Sequence, residues 1–388
     1  MARDAVIALA VRSPIGKRGG ALKDWHPVDL SGHVLAALGE RSGIDPGLVD
    51  DVIWGCVQQA GEQAFNIGRS AVLAAGWPES VPGTTVDRQC GSSQQAIHFA
   101  AAGVISGQYD IAVAGGVECM TRVPLGSSAA HGPGIPFGPK VLARYDNVGF
   151  NQGVGAEMMA TRWGFSRTQL DEFSLGSHEK AIEAINAGRF VDQIVPVPVT
   201  AEDGTTGVFD TDQGVRPGGS LESLGKLKPA FDAGGVITAA NSSQISDGAA
   251  ALLVTTSERA AELGLRPLVR VHTAVLAGDD PVIMLTGPIP ATAKALARSG
   301  LKIDEIGAFE VNEAFASVPL AWLAETGADV KALNPVGGAI ALGHPLGGSG
   351  AQLATRLVHH MVDSGIRYGL QTMCEGGGTA NATIFELL

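Results

Sequence analysis

Aromatic residues, basic residues and cysteines are all scarce in this chain. Aromatic side chains make up 5% of the 388 residues, and 27 lysines and arginines stand against 39 aspartates and glutamates, which gives a net charge of −12. Without a basic face, nucleic acid is not expected as a partner. The four cysteines, Cys56, Cys90, Cys119 and Cys374, are too few for a disulfide scaffold and lack the paired spacing of a metal site. They suit the reducing cytoplasm, and no metal or cofactor is expected.

Long apolar runs are also missing. No stretch reaches the roughly 18 residues that a membrane-spanning helix requires, so no membrane span is expected. The apolar run over residues 1–12 is too short for a signal or membrane helix and predicts a buried first strand. What the chain does have is 45% hydrophobic residues and 53 glycines. This composition predicts a large core, with many tight turns and close backbone approaches.

Two distant parts of the chain have the same pattern. A helical pattern ends at Gly43 and another ends at Gly300, and each is followed by a short acidic linker and a buried strand. Downstream, one helix opens at Cys90 and another near Gly348, and each leads to a strand and a glycine pair or triplet. The intervals from Gly43 to Cys90 and from Gly300 to Gly348 are 47 and 48 positions. A duplicated α/β unit with mostly parallel sheets covered by helices is therefore predicted.

The middle of the chain differs from both repeats. Residues from about 118 to 245 are rich in glycine and proline, with helical patterns only near 155–163 and 168–187. This composition predicts an inserted lobe rather than a third copy of the unit. Long insertions of this kind often carry ligand contacts.

Cys90 lies in the most informative segment, residues 86–97, where small residues follow a cysteine and a helical stretch then begins. A thiol in the first turn of a helix faces unpaired N–H groups and the positive end of the helix dipole, and both favour the nucleophilic thiolate. On this segment alone, a buried packing cysteine is an equally good interpretation.

Three more segments carry side chains suited to the same chemistry: residues 311–316 with Asn312, 337–347 with His344, and 373–378 with Cys374. Each has a plain alternative. His344 could be a loop histidine bonded to a carbonyl, Asn312 a turn residue and Cys374 a core residue. The glycine runs could hold dinucleotide phosphates, but no Gly-x-Gly-x-x-Gly follows the first strand.

Taken together, these motifs resemble those of the thiolase family, and the resemblance extends from residues 12–17 to the Cys374 loop. It implies the α/β thiolase fold, with duplicated βαβαβαββ halves packed as a five-layered α-β-α-β-α core and an inserted loop domain. The implied N-terminal half spans 1–117 plus about 246–266, and the C-terminal half spans 267–388. The insert, 118–245, is expected to serve CoA binding and oligomerisation.

The resemblance also implies a mechanism. Cys90 would attack an acyl-CoA thioester and carry the acyl group, while His344 takes the thiol proton. Cys374 would move a proton to or from the α-carbon of acetyl-CoA. His344 and a water on Asn312 would stabilise the enolate oxygen, and the N–H groups of Cys90 and Gly376 would form a second oxyanion hole.

Acyl-CoA and CoA are the implied partners, and the segment 238–251 resembles the one that closes the family's pantetheine tunnel. Arg216 matches a position near the adenine, although it could equally be a solvated surface charge. The substrate-binding and CoA-binding residues implied by the resemblance are Ser243, Arg216, Ser223, Ala314, Phe315 and Gln152.

Two departures from the family pattern bear on the substrate. Residues 151–152 replace the His-Met pair of short-chain acetoacetyl-CoA thiolases, and Glu375 stands where an apolar residue is common. A carboxylate there would raise the pKa of a neighbouring thiol unless it points away. Both changes favour a degradative 3-ketoacyl-CoA thiolase over a biosynthetic acetoacetyl-CoA-specific acetyltransferase. A ketoacyl synthase and a catalytically silent lipid carrier are further alternatives. A homodimer or homotetramer is expected, with tetramer contacts on the insert.

Overall fold

The computed structural model describes residues 3–130, 132–201 and 203–388. The first two residues of the predicted N-terminal strand segment, and residue 131 of the glycine- and proline-rich run, lie outside that part. The strands are β1 Val6–Arg12, β2 Gly16–Lys17, β3 Asp51–Gly55, β4 Gly83–Val86, β5 Ile111–Cys119, β6 Val197–Thr200, β7 Thr206–Phe209, β8 Ser246–Thr255, β9 Val269–Gly278, β10 Ala308–Val311, β11 Tyr368–Glu375 and β12 Thr379–Leu387. The helices are α1 Pro27–Ser42, α2 Ile67–Ala74, α3 Ser92–Ser106, α4 Ser127–Ala130, α5 Pro139–Arg144, α6 Gln152–Trp163, α7 Arg167–Asn186, α8 Leu221–Gly225, α9 Ser257–Glu262, α10 Pro288–Ser299, α11 Ser317–Thr326, α12 Ala339–Leu342 and α13 Leu346–Ser364.

The predicted duplication is visible in the order of the strands. In the N-terminal half the order is β4-β3-β5-β8-β1, and in the C-terminal half it is β10-β11-β12-β9. A parallel bridge between Phe309 and Leu333 lies where the second half would have its counterpart of β4. A short antiparallel pairing of β1 with β9 joins the halves, and the short strand β2 pairs with β8, so the hydrogen-bonded sheet has ten strands.

Strand direction differs from the sequence-based prediction. Only β3 with β4, β3 with β5, and β10 with β11 are parallel, while the remaining pairs are antiparallel. The prediction of mostly parallel sheets was therefore wrong. In the C-terminal half the reason is the tight glycine turn 376–378, which joins β11 directly to β12 and leaves no room for the crossover that a parallel pair requires.

Helices and sheets form the five layers that the resemblance implied. Helices α3 and α13 pack against each other and bury apolar side chains, such as Ile97 and Leu357, in one core with both halves of the sheet. Helices α1 and α2 cover the outer face of the N-terminal half, and α10 and α11 cover that of the C-terminal half. The two central helices end where predicted, at Gly107 and Gly365, which have φ of +80° and +63°. Only glycine adopts these left-handed angles without strain.

The segment between β5 and β8 lies outside the large sheet and carries helices α4 to α8 and the small β6–β7 sheet. Its helices α6 and α7 lie where the helical patterns near 155–163 and 168–187 were predicted, and they pack against residues 314–321. A buried ion pair, Arg12 to Asp212 at 2.7 Å, ties this segment to β1. Among the described residues, no helix has both the length and the apolar character needed to cross a membrane.

Candidate active site

Cys90 lies in the turn between β4 and α3. The residue before it, Gln89, has φ of +48°, a left-handed angle that is unfavourable for a residue with a side chain. The turn is closed by hydrogen bonds from the Gly91 N–H to Arg88 O at 3.1 Å and from the Ser92 N–H to Gln89 O at 3.0 Å. Cys90 therefore precedes the helix by two residues rather than lying in its first turn, and the backbone conformation of this turn sets the position of its thiol.

Burial dominates the acidity of Cys90. The residue is 8% exposed and packs in a cluster with apolar side chains, among them Val57, Leu346 and Met373. Desolvation, followed by the charge of Glu375, raises the pKa of its thiol to about 12. The predicted thiolate is thus not the resting form, because burial away from water disfavours the charged thiol. A neighbouring base must take the proton during reaction.

His344 has the protonation state that such a base requires. Its backbone N–H donates to Ser246 Oγ at 3.1 Å and to Gln244 O at 3.2 Å. Its Nδ1 lies 2.5 Å from Ser349 Oγ, whose own proton is donated to Pro345 O. Nδ1 must therefore carry the imidazole proton, which leaves Nε2 with a free lone pair. Burial lowers the pKa of His344 to about 4, so the ring is neutral near pH 7.

Asn312 follows β10 and faces His344. Its Nδ2 lies 3.4 Å from His344 Nε2, and its buried Oδ1 accepts no hydrogen bond within the described part of the chain. The next residue, Glu313, accepts hydrogen bonds from Asn334 Nδ2 at 2.8 Å and from the Ile340 N–H at 3.2 Å. Glu313 thereby fastens the Asn312 loop to the segment that leads into His344.

Cys374 is the second-to-last residue of β11, and a further strand, β12, follows it. It was expected just past the last long strand. The thiol is buried among apolar residues including Met284 and Phe315. Its pKa is raised well above the usual value, first by burial and next by the charges of Cys90 and Glu375. The structure therefore brings the two thiols close together. Glu375 raises the pKa of both, whereas the sequence predicted this effect only for a thiol next to it and only if the side chain did not point away.

A cavity of about 670 Å³ opens onto Cys90. It brings together three residues that the sequence assigned to the site, Cys90, Gly376 and Gln152. Gly376 lies against the Gln89 side chain, because a Cβ at position 376 would come within 2.8 Å of Gln89 Oε1. The rest of the lining is largely apolar and includes Val57, Leu125, Ala129, Pro136, Phe137, Phe150, Met284 and Leu346.

A second cavity, of about 310 Å³, brings together Arg216 and Ser223. Ser243, Ala314 and Phe315 do not line it. They lie instead where two chain segments meet: the Ser243 N–H of one segment donates to Ala314 O of the other at 2.9 Å. Gln244 connects this cavity with His344, because Gln244 lines the cavity and its carbonyl oxygen accepts the His344 N–H.

Sequence reasoning missed the residues that hold the site together. Glu118 is fully buried and accepts hydrogen bonds from the N–H groups of Val57 at 3.0 Å and Gly347 at 2.8 Å, so it ties a wall of the first cavity to the His344 loop. Ser349 contacts the His344 ring and fixes its orientation, and Gln244 accepts the backbone N–H of His344. A signal for Glu118 existed, because it is a lone charge in the otherwise apolar strand 111–119.

Within residues 3–130, 132–201 and 203–388, no group of three or more His, Cys, Asp or Glu side chains has an arrangement that could hold a metal ion.

Comparisons with known proteins cover the whole chain. Residues 5–258 match the family model described as thiolase, N-terminal domain, and residues 265–387 match thiolase, C-terminal domain. A steroid 3-ketoacyl-CoA thiolase of Mycobacterium tuberculosis is 50% identical over 99% of this chain and 94% of its own. A 3-ketoacyl-CoA thiolase of Pseudoalteromonas translucida is 45% identical over 98% of both chains. The crystal structure of the Bacillus anthracis acetyl-CoA acetyltransferase superposes with a TM-score of 0.91, at 38% identity over 100% of this chain and 99% of that one.

Proposed function

The chain belongs to the thiolase family and is an acyltransferase, and on that premise we propose that it cleaves 3-ketoacyl-CoA by thiolysis through an acyl-Cys90 intermediate. The observation that carries the proposal is the nearness of the two thiols, since the charge of Cys90 raises the pKa of Cys374. His344 and Asn312 form a second pair, 3.4 Å apart. A nucleophile, a base and a separate proton donor are the groups that this reaction requires.

Cys90 begins the reaction as a neutral thiol. His344 Nε2, which carries no proton, accepts the proton while Cys90 Sγ bonds to the 3-keto carbon of the substrate. The bond between carbons 2 and 3 then breaks, and its electron pair leaves with acetyl-CoA as an enolate. Cys374 gives its proton to the α-carbon of that enolate. The thiol of a second CoA then gives its proton to the Cys374 thiolate and displaces the acyl group from Cys90, which releases a shortened acyl-CoA. The Cys90 thiolate takes back the proton that His344 held.

Two sets of donors stabilise the oxygens that become negative. The side-chain amide of Asn312 lies beside His344 Nε2. This arrangement supports a role for the two residues at the enolate oxygen, where Asn312 would hold a water. The position of Cys90 and Gly376 in the same cavity wall supports their backbone N–H groups as the second oxyanion hole. Each well-placed donor of this kind contributes on the order of 10²-fold to the rate.

CoA binding is proposed for the second cavity. Arg216 supplies a local cation in a chain of net charge −12, and Ser223 and the loop that contains Ala239 and Ala240 complete the wall. Ser243, Ala314 and Phe315 would act from the junction of the two neighbouring segments, where Phe315 makes an edge contact with Phe231. The adenine end would lie beside Arg216.

The acyl group is proposed to be bulky. The apolar lining of the 670 Å³ cavity and the 50% identity to a thiolase whose name includes a steroid substrate both support this choice. We expect kcat/KM for thiolysis to be at least about tenfold higher with a ring-bearing or long-chain 3-ketoacyl-CoA than with acetoacetyl-CoA, because each buried methylene contributes about 0.8 kcal/mol. A substrate panel measures this. The highest value with acetoacetyl-CoA would instead support the biosynthetic acetyltransferase.

The acyl intermediate can be tested directly. Incubation of the enzyme with acetyl-CoA is expected to add one acetyl group to the peptide that contains Cys90, as detected by peptide mass spectrometry. An unmodified Cys90 in enzyme that turns over would contradict the proposal. Protein that binds acyl-CoA but shows neither thiolysis nor exchange would be the silent lipid carrier, and strict dependence on a carrier-protein substrate would indicate a ketoacyl synthase.

We retain the division into 1–117 plus about 246–266, 118–245 and 267–388 as a proposal, together with a role in fatty-acid or related lipid metabolism in the cytoplasm. Four unpaired cysteines support a reducing compartment. Exposed apolar side chains on the insert, such as Leu125, Ile135 and Val148, support its use in a homodimer or homotetramer.

A further inference from the structure

Glu375 places a carboxyl group beside both thiols. It is the last residue of β11, directly after Cys374, and it pairs across the glycine turn with Thr379 of β12. Its side chain is fully buried. The mechanism proposed above uses Cys90, Cys374, His344 and Asn312 but gives no part to this carboxyl. A buried carboxyl without a metal or a close ion-pair partner is costly, so its presence calls for an explanation.

The two oxygens of Glu375 have different surroundings. Oε2 accepts a hydrogen bond from Thr379 Oγ1 at 2.7 Å. Oε1 is buried and has no hydrogen-bond partner among the described residues. It lies against Gly91, where any side chain would collide with it. The carboxyl therefore reaches behind the turn that carries Cys90 and ends at the residue next to the nucleophile.

Few charges surround this carboxyl. Arg88, from the turn before Cys90, favours its ionised form, and Thr379 of β12 does the same through its hydrogen bond. Asn381, also on β12, contributes no charge and donates to Gly91 O at 3.1 Å. Against these, burial favours the neutral acid, and the net result raises the pKa of Glu375 to about 7. Asp87 and Glu118 face Cys90 and add smaller negative charges there.

We propose that Glu375 is a positioning residue that controls when Cys90 can lose its proton: the neutral carboxyl permits ionisation of the thiol, and the carboxylate opposes it. This inference rests on the proposed function, in which Cys90 is the nucleophile. Its sign follows from like-charge repulsion, because a carboxylate disfavours a second negative charge nearby. As the pH rises through about 7, Glu375 ionises and the pKa of Cys90 rises with it. Thiol activation is therefore held back on the alkaline side.

The test is the rate of Cys90 alkylation by iodoacetamide, followed by peptide mass spectrometry from about pH 6 to about pH 10. In Glu375→Gln the side chain keeps its shape and an oxygen that can accept from Thr379, but it has no charge. We expect the pKa of Cys90 to fall by about one unit relative to the wild type, which makes alkylation roughly tenfold faster at about pH 8, where Glu375 of the wild type is ionised.

Two further variants separate this electrostatic role from a structural one. Thr379→Val keeps the carboxyl but removes its donor, so Glu375 should ionise at higher pH and alkylation should be faster than in the wild type only near pH 7. Glu386→Gln makes the same substitution at the far end of the β11–β12 hairpin, where Glu386 bonds Arg367 and Tyr368, and should leave the profile unchanged.

An unchanged profile in Glu375→Gln would overturn the proposal, and so would an equal shift in Glu386→Gln. Alkylation needs no acyl transfer, so this outcome is independent of the acetyl-labelling test on Cys90. Loss of labelling with the expected alkylation shift would instead count against the proposed function while leaving the Glu375–Cys90 coupling intact.

Discussion

Cys90→Ala is expected to lower the turnover number for thiolysis by at least about 10⁴-fold and to abolish acyl-enzyme formation, since removal of a covalent nucleophile has effects of this size. The structure supports this expectation, because Cys90 opens onto the 670 Å³ cavity beside Gly376. Steady-state thiolysis and mass spectrometry of the protein after incubation with acetyl-CoA measure the two effects.

Cys119→Ala is the matched control. Cys119 is another buried cysteine, at the end of β5, but it packs in the core between the N-terminal sheet and the outer helices. Its loss should lower stability slightly and leave the turnover number within about threefold of the wild type. An acetyl label that persists in Cys90→Ala, or equal losses in both variants, would show that Cys90 is not the acyl carrier.

Cys374→Ala is expected to separate the two halves of the reaction. Acylation of Cys90 by acetyl-CoA should stay within about tenfold of the wild type, because His344, not Cys374, takes the proton from Cys90 in that step. Condensation of two acetyl-CoA molecules, and exchange of the α-protons of acetyl-CoA with solvent, should fall by about 10²-fold to 10⁴-fold. Rapid-quench labelling measures the first step, and exchange into deuterated water measures the second.

The division of labour has a structural basis. Cys374 sits on β11 among apolar side chains, with a pKa raised well above that of a free thiol, so it is a proton-bearing acid near neutral pH. Equal losses in acylation and exchange would contradict the assigned roles. Such a result would point instead to a structural effect on Cys90, whose charge is already coupled to that of Cys374.

Much of the fold could be predicted from local patterns. Gly107 and Gly365 end the two central helices as expected, because a left-handed residue after a helix is a local requirement that glycine meets. The repeat was visible for the same reason, since each copy keeps its own helix end, linker and strand. Strand direction was not predictable, because it depends on where the chain goes after a strand ends: β12 follows β11 through a short turn, whereas β8 returns only after the insert.

Within the site, motif residues were predictable and their acidity was not. Cys90, Asn312, His344 and Cys374 each lie in short segments whose composition is unusual for a plain loop or strand. The neutral state of His344 and the high pKa of both thiols arise from desolvation, which depends on how many distant segments pack over each group. The sequence around Cys90 predicts the effect of one helix end, whereas desolvation depends on residues from elsewhere in the chain.

The sequence by itself determined the family, the duplicated architecture and the four side chains suited to acyl transfer, since motif, spacing and helix ends are written in contiguous residues. Only the tertiary structure decided which of these groups meet. It placed Glu118 between the wall of the acyl cavity and the His344 loop, and it turned Glu375 towards Gly91 rather than away from the nucleophile. The physical reason is that burial, hydrogen bonding and charge act through space, between residues that lie hundreds of positions apart in the chain.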